Sequence, residues 1–463
     1  MRDSRKLPLA AAMLVAFGTS GDVAADNVIV DTCDDSAFPS GTSLRQAISL
    51  ANDNDNVDLS GLQCSTLTLQ QGELTVEQNT LGLLGPVDHE LTINAHGDSR
   101  AINHLGTGTL YIQYLSVAYG AASGAAESGG CILSSGTLNL LHSTISHCAA
   151  GHFGGGAYAT NIQAAYMRIS GNSANKGAGV AAAEVSIDHG EVTDNHAIAD
   201  GGGIQGFSKV TLNDSILTMN TAVNGGAAYS ADRMYLTRDT ISGNAAVTGY
   251  GGGVYTRFGG HGIPHLLKIT DSTIDHNVSR YRGGGVHGSI VEMVGSTISG
   301  NTTGINSEPF SGQGGGVSCY DITMKNSTVV GNTDLRPGSE VGGVQARYAT
   351  IISSIIANNN GGPYSDLDVL TLTAYTSVIR SSSQPSVSLT VDPRLGPLAD
   401  HGGGRRTHAV LPGSPVIDLG SNPLNLQYDE RGLPRVIGSH PDIGAYERQT
   451  NDDQLWYDGF DSS

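Results

Sequence analysis

Residues 240–244 read TISGN, and residues 297–301 read TISGN again. Aligned on the final letter, near-variants extend the series to nine positions: Cys148, Asn172, Asn195, Asn220, Asn244, Asn277, Asn301, Asn332 and Asn358. Successive copies lie 23 to 33 residues apart, with 24 the commonest step. Three residues before each stands an aliphatic, from Ile145 and Ile169 to Ile298, Val329 and Ile355. Ten residues before stands another large side chain, from Leu138 and Ile162 to Ile322 and Tyr348. A glycine cluster follows each copy, as at Gly156, Gly203, Gly253, Gly285, Gly316 and Gly343.

A unit of this length cannot bury a core alone, and its apolar positions alternate as in strands. Each copy therefore has to stack on its neighbours. The pattern predicts an all-β chain, a single-stranded right-handed parallel β-helix, with three short strands per rung and rungs stacked at about 4.8 Å. The asparagine then sits at an inward corner, bonding to the rungs on either side. The glycines occupy a corner that excludes a Cβ. Cys148 stands at the start of the amide series, where a small apolar group is tolerated.

Glycine supplies 64 of 463 residues, while charged residues are 14% and the formal charge is −19. That charge argues against nucleic acid or anionic lipid as a partner. Residues 1–25 have a basic start, an apolar core LPLAAAMLVAF and the small residues VAA before Asp26. They read as a signal peptide cleaved after Ala25, which predicts a secreted or outer-surface protein. No other stretch approaches the roughly 20 apolar residues of a membrane span. A monomer is expected.

Cys33 and Cys64 bracket the N-terminal segment and are expected to pair. Cys131 and Cys148 lie one partial rung apart and either pair or remain thiols, and Cys319 is left odd. No spacing fits a metal site.

Residues 26–65 form an N-terminal cap, in which TSLRQAISLAND (42–53) is an amphipathic helix with Leu44, Ala47, Ile48 and Ala51 on one face. The solenoid spans 66–380. A compact module at 391–447 closes the other end, and a polar tail, 448–463, carries the single Trp456. Both ends resemble known sequences. TSLRQAISLAN with VDLSGLQCSTLTLQQGELTV is similar to the CSLREA-type N-terminal region of exported bacterial β-helix proteins, with Thr42 in place of the first cysteine. DPRLGPLADHGGG, LPGSPVIDLGSN, DERGLPR and PDIGAYE resemble the choice-of-anchor Q domain, with Glu430 for a usual Gln and Pro441 where a Cys is common. The resemblance implies a right-handed parallel β-helix at or beyond the bacterial surface and supplies no catalytic residues.

One rung, DSTIDHNVSRYRGGG (271–285), departs from the others. Asp275 and His276 replace the usual Ser/Thr and Gly, and Arg280 and Arg282 follow. A base and cations are what a polysaccharide lyase needs to remove a proton beside a uronate carboxyl. The insert RFGGHGIPH (257–265) could wall a groove with Arg257, His261 and His265. Asp271 and Asp275 offer a weaker carboxylate pair for glycoside hydrolysis. The carboxylates of NDNDNVD (52–58) could hold calcium but lack the glycine and distal glutamate of an EF-hand loop. Outward hydroxyls such as Thr240/Ser242 and Thr297/Ser299 need no special cause on a wet strand face. The expected function is a binding, adhesion or structural module for extracellular glycans or cell surfaces. The alternative is a carbohydrate-active enzyme, by analogy with the pectate-lyase-like use of such solenoids.

Overall fold

The structure, a computed structural model, describes residues 26–257, 265–304, 313–339, 341–385, 388–450 and 452. Residues 1–25, expected to be a signal peptide, and also His261 and Trp456 lie outside them. Nearly every described strand joins one of three parallel sheets, of 18, 13 and 9 strands, that run the length of a β-helix. In the 13-stranded sheet the aliphatic column is in register from Leu67 and Ile93 through Val117, Ile145, Ile169 and Val192 to Ile274, Ile298 and Val329. The second column, Leu138, Ile162, Val185 and Val210, is in register in the 18-stranded long sheet. These side chains are almost fully buried and belong to one apolar core that extends from Val30 to Ile379.

The corner asparagines form a continuous ladder. Nδ2 of Asn172 donates to Oδ1 of Asn195 at 2.9 Å, and the backbone N–H of Asn172 donates to the same oxygen at 3.1 Å. Nδ2 also donates backwards to the carbonyl of Ile145 at 3.3 Å. Each amide thus donates in both directions and accepts from one, and the pattern repeats at Asn195, Asn220, Asn244, Asn277, Asn301 and Asn332.

The last copy corrects the alignment. Asn332 donates to Asn359, not Asn358. Val329 pairs with Ile356 rather than Ile355, and Ile322 with Ala349 rather than Tyr348. Asn358 is exposed and occupies the preceding corner, with φ 57°. Each of the nine copies has a left-handed residue there, filled by Gly243, Gly300 and Gly331 in three of them. Asparagine tolerates that conformation better than other side-chain-bearing residues, so the run Asn358–Asn359–Asn360 fits both registers on paper. A one-residue slip reverses every side chain across the sheet, which is why the corrected register places Ile356 in the core.

The glycine clusters serve two needs. Gly283 has φ 60°, and a Cβ on Gly284 would stand 2.4 Å from the carbonyl oxygen of Gly315 in the next rung.

The coil begins before the repeat does, since Asn27–Ile29 and Asn56–Asp58 already pair in the long sheet. Between them lies the helix Leu44–Leu50, opened by Ser43 and Gln46 in a reciprocal capping box. It buries Leu44, Ala47 and Ile48. Disulfides join Cys33 to Cys64 and Cys131 to Cys148, leaving Cys319 as a buried thiol.

The C-terminal segment contains the one antiparallel strand pair among the described residues, Leu395–Asp400 with Arg406–Val410. It lies along the outer face of the 13-stranded sheet. Thr273 Oγ1 donates to the Arg406 carbonyl at 2.7 Å, and Ala445 N–H donates to Thr328 Oγ1 at 3.0 Å. Ser299 Oγ is 2.8 Å from His408 Nε2. Outward Val330, Ile355, Ala357 and Val378 pack with Ala409, Val410, Val416, Ile443 and Tyr446. The hydroxyls of Thr273, Thr297 and Ser299 are therefore buried under this segment, while Thr144, Ser146, Thr240 and Ser242 of earlier rungs are half-buried.

Candidate functional site

Two of the four residues singled out in the rung 271–285 meet; the other two are held elsewhere. Asp275 ends the strand Thr273–Asp275, and its side chain is fully buried. His276 follows in the left-handed corner with φ 53°. Its Nδ1 is 2.5 Å from Asp275 Oδ2, and its ring is 61% exposed. From the C-terminal segment, Arg406 places Nη2 2.8 Å from Asp275 Oδ1 and 2.9 Å from Ser242 Oγ. The result is a carboxylate clamped between an imidazole and a guanidinium. It can orient the exposed Nε2 of His276, but the carboxylate itself is closed to a ligand.

Next to it, His408 directs Nδ1 at the Gly396 carbonyl, 2.8 Å away, so Nδ1 carries the proton and Nε2 accepts from Ser299. Burial holds this imidazole below its ordinary pKa. Asp271 lies in the left-handed corner before the strand that Asp275 ends, with φ 46°, and burial pushes its carboxyl up to about 6.

Asn277 turns the chain away from this group. Arg280, Tyr281 and Arg282 then lie beyond the short strand Val278–Ser279, and among the described residues no hydrogen bond or ion pair links their side chains to Asp275 or His276. They belong instead to an aromatic cluster on the outer face of the long sheet. There Tyr229, Tyr255 and His287 are cross-strand neighbours in register. Ring centroids are 5.2 Å apart for Tyr229–Tyr255 and 5.3 Å for Tyr255–His287. Tyr250 stacks on His287 at 5.2 Å and lies 5.5 Å from Tyr281, whose ring carries the Arg280 guanidinium at 5.4 Å.

Burial and the Arg282 charge push the His287 imidazole down to about 3, so it is a neutral ring at any ordinary pH. Burial, with Asp200 nearby, pushes the Tyr229 phenol up to about 12. The cluster therefore offers neutral ring faces and guanidinium cations rather than acid–base groups.

The same face carries rings above and below. Phe153, Tyr158 and Phe207 meet at centroid distances of 4.9 to 6.4 Å. Arg347 lies 5.6 Å from both Tyr320 and Tyr348. From the rung of Tyr158 to that of Gln345 there are seven steps, roughly 34 Å at the strand spacing. This strip was not foreseen. Its trace in the sequence is a tyrosine or histidine just after the glycine cluster in some rungs, as at Tyr158, Tyr255 and His287. Of the insert residues, Arg257 is exposed and His265 Nδ1 is 3.3 Å from Asp232 Oδ1.

Elsewhere, Asp188, His189 and Asp214 bring ligand-type atoms within 4.8 Å of one another, but Arg238 already clamps Asp214 through two nitrogens. In 52–58, Asp55 and Asp58 accept from backbone N–H groups, as helix-exit and turn residues do.

No family model matches the chain, and no curated protein matches it. A solved structure described as that of pectate lyase Pel9A is similar over 93% of this chain and 98% of that one, with a TM-score of 0.37 and 12% identity. No helix among the described residues is long and apolar enough to cross a membrane.

Proposed function

We propose that this protein is a secreted or outer-surface β-helix that binds an extracellular polysaccharide along the outer face of its long sheet. The observation that carries this reading is the strip of rings centred on Tyr229, Tyr250, Tyr255, Tyr281 and His287. Ring faces bury the apolar C–H faces of sugars, and a strip parallel to the axis suits a linear chain. Two disulfides suit an oxidising compartment. The signal-like residues 1–25 and the CSLREA-like and choice-of-anchor Q-like ends point the same way, toward export and a surface location. An immobilised panel of glycans and matrix polymers tests this: at least one polysaccharide binds, and Tyr250→Ala weakens it by tenfold or more. Background signal across the panel would remove the reading.

A carbohydrate-active enzyme is the second reading, favoured by the exposed His276 ring on buried Asp275. It requires new reducing ends or unsaturated products when the polymers are incubated with the protein, and their loss in His276→Ala.

A further inference from the structure

Arginine is placed unevenly in this chain. Although the formal charge is −19, many described arginines are tied to a carboxylate, among them Arg45 to Asp35, Arg100 to Glu73, Arg168 to Glu191, Arg238 to Asp214, Arg336 to Asp334 and Arg431 to Asp429. Others bind backbone carbonyls, as Arg394, Arg405 and Arg435 do. Arg380 reaches only the Asn358 side chain; of the rest, four have neither kind of partner among the described residues: Arg257, Arg280, Arg282 and Arg347. All four lie on or beside the aromatic strip.

Their settings are alike. Arg280 lies over Tyr281, and its Nε is buried without a hydrogen-bond partner among the described residues. Arg347 lies between Tyr320 and Tyr348. Arg282 is close enough to His287 to depress its pKa, and Arg257 close enough to Tyr229 to oppose its rise. A guanidinium held by a ring face keeps its N–H edge available, and that edge matches a carboxylate or sulfate with two parallel hydrogen bonds. On one face of an acidic protein, arginines without a carboxylate partner among the described residues leave room for countercharge from a ligand.

We infer that the ligand of this face is an anionic glycan, bearing carboxylate or sulfate groups along its length. The rings bury the sugar faces and Arg257, Arg280, Arg282 and Arg347 pair with the acidic groups. The inference rests on the polysaccharide-binding reading above and adds the charge of the ligand to it.

The test uses the mature full-length chain and pairs of polymers with one backbone, the carboxylated form and its carboxyl-reduced or methyl-esterified form. Titration is run at low and at several-fold higher salt, with a single-stranded oligonucleotide as a separate anionic probe. The carboxylated polymer is expected to bind at least tenfold more tightly, and salt is expected to narrow the gap. Arg280→Gln and Arg282→Gln each weaken it about tenfold, close to 1.4 kcal/mol, and weaken the neutral polymer less, while the thermal midpoint stays unchanged. Equal affinity for both forms would overturn the inference and leave the polysaccharide reading standing. Binding of neither form would overturn both. Preferential binding of the oligonucleotide would overturn the glycan assignment.

Discussion

Asn359 donates through Nδ2 to Oδ1 of Asp366 at 2.9 Å, so the amide column that begins under Cys148 ends on a buried carboxylate. The column is thereby closed at both ends. Each internal member makes bonds that no water can replace, and an unmatched buried partner costs about 1–3 kcal/mol.

The first prediction follows from that accounting. Asn277→Ala removes the acceptor of Asn244 and the donor to Asn301 and Ile241. It should destabilise by about 3 kcal/mol or more. Asn358→Gly, at a left-handed exposed corner, should be neutral or slightly stabilising. Denaturant midpoints of the two variants check this, and similar losses for both would place the column wrongly.

The C-terminal segment should loosen as pH rises. Glu430 Oε2 lies 2.5 Å from Thr297 Oγ1, and Oε1 lies 3.1 Å from Thr273 Oγ1, whose proton already goes to the Arg406 carbonyl. Burial pushes its pKa up to about 8, although Thr297, Thr407, Thr273 and Arg405 favour the charged form. Burial also raises Glu447 to about 7 and Asp239 to about 8. A raised carboxyl pKa gives stability that is complete below the ordinary carboxyl range, near 4.3, and is lost as pH climbs through the folded value. The thermal midpoint should therefore fall between about pH 5 and 8, and Glu430→Gln, whose amide can donate to Thr273 and accept from Thr297, should flatten part of that slope. A midpoint that rises over this range would contradict the protonated state.

Arg406 and Asp275 should act as one unit. Arg406→Ala leaves a fully buried carboxylate with the His276 imidazole and the Ser242 hydroxyl as its remaining partners, which should destabilise by about 3 kcal/mol. Adding Asp275→Ala should recover part of the loss. A double-mutant cycle with no coupling would mean that the pair does not hold the C-terminal segment.

Thiol titration of the denatured, unreduced protein should find one free group, Cys319. Removing the Cys131–Cys148 bridge, with a sequence separation of 17, should destabilise by about 3 kcal/mol. Five thiols in exported protein would exclude both bridges.

The solenoid could be read because its rule is local and repeated: an aliphatic, a left-handed corner and an inward amide recur as TISGN. The slip at Asn358 arose where two neighbouring positions accept the same residue for different reasons. The position of Arg406 on Asp275 could not be read, because 131 residues separate them and no period connects them. One clue to that docking was present. The late strands Thr328–Val330, Ile355–Ala357 and Val378–Ile379 are apolar on both faces, as in sheets covered on both sides. The aromatic strip escaped notice because its rings come from different strands and turns, so only the stacked rungs bring Tyr229, Tyr250 and Tyr281 together.

Hydroxyl-radical footprinting of the mature chain, with and without a bound polysaccharide, tests the role of the long-sheet face most directly. Protection is expected at Tyr229, Tyr250, Tyr255 and Tyr281, with Tyr114 and Tyr166 on the stacked corner column unchanged. Protection confined to Tyr114, Tyr166 or His276, with the four long-sheet tyrosines as reactive as in the free protein, would contradict it.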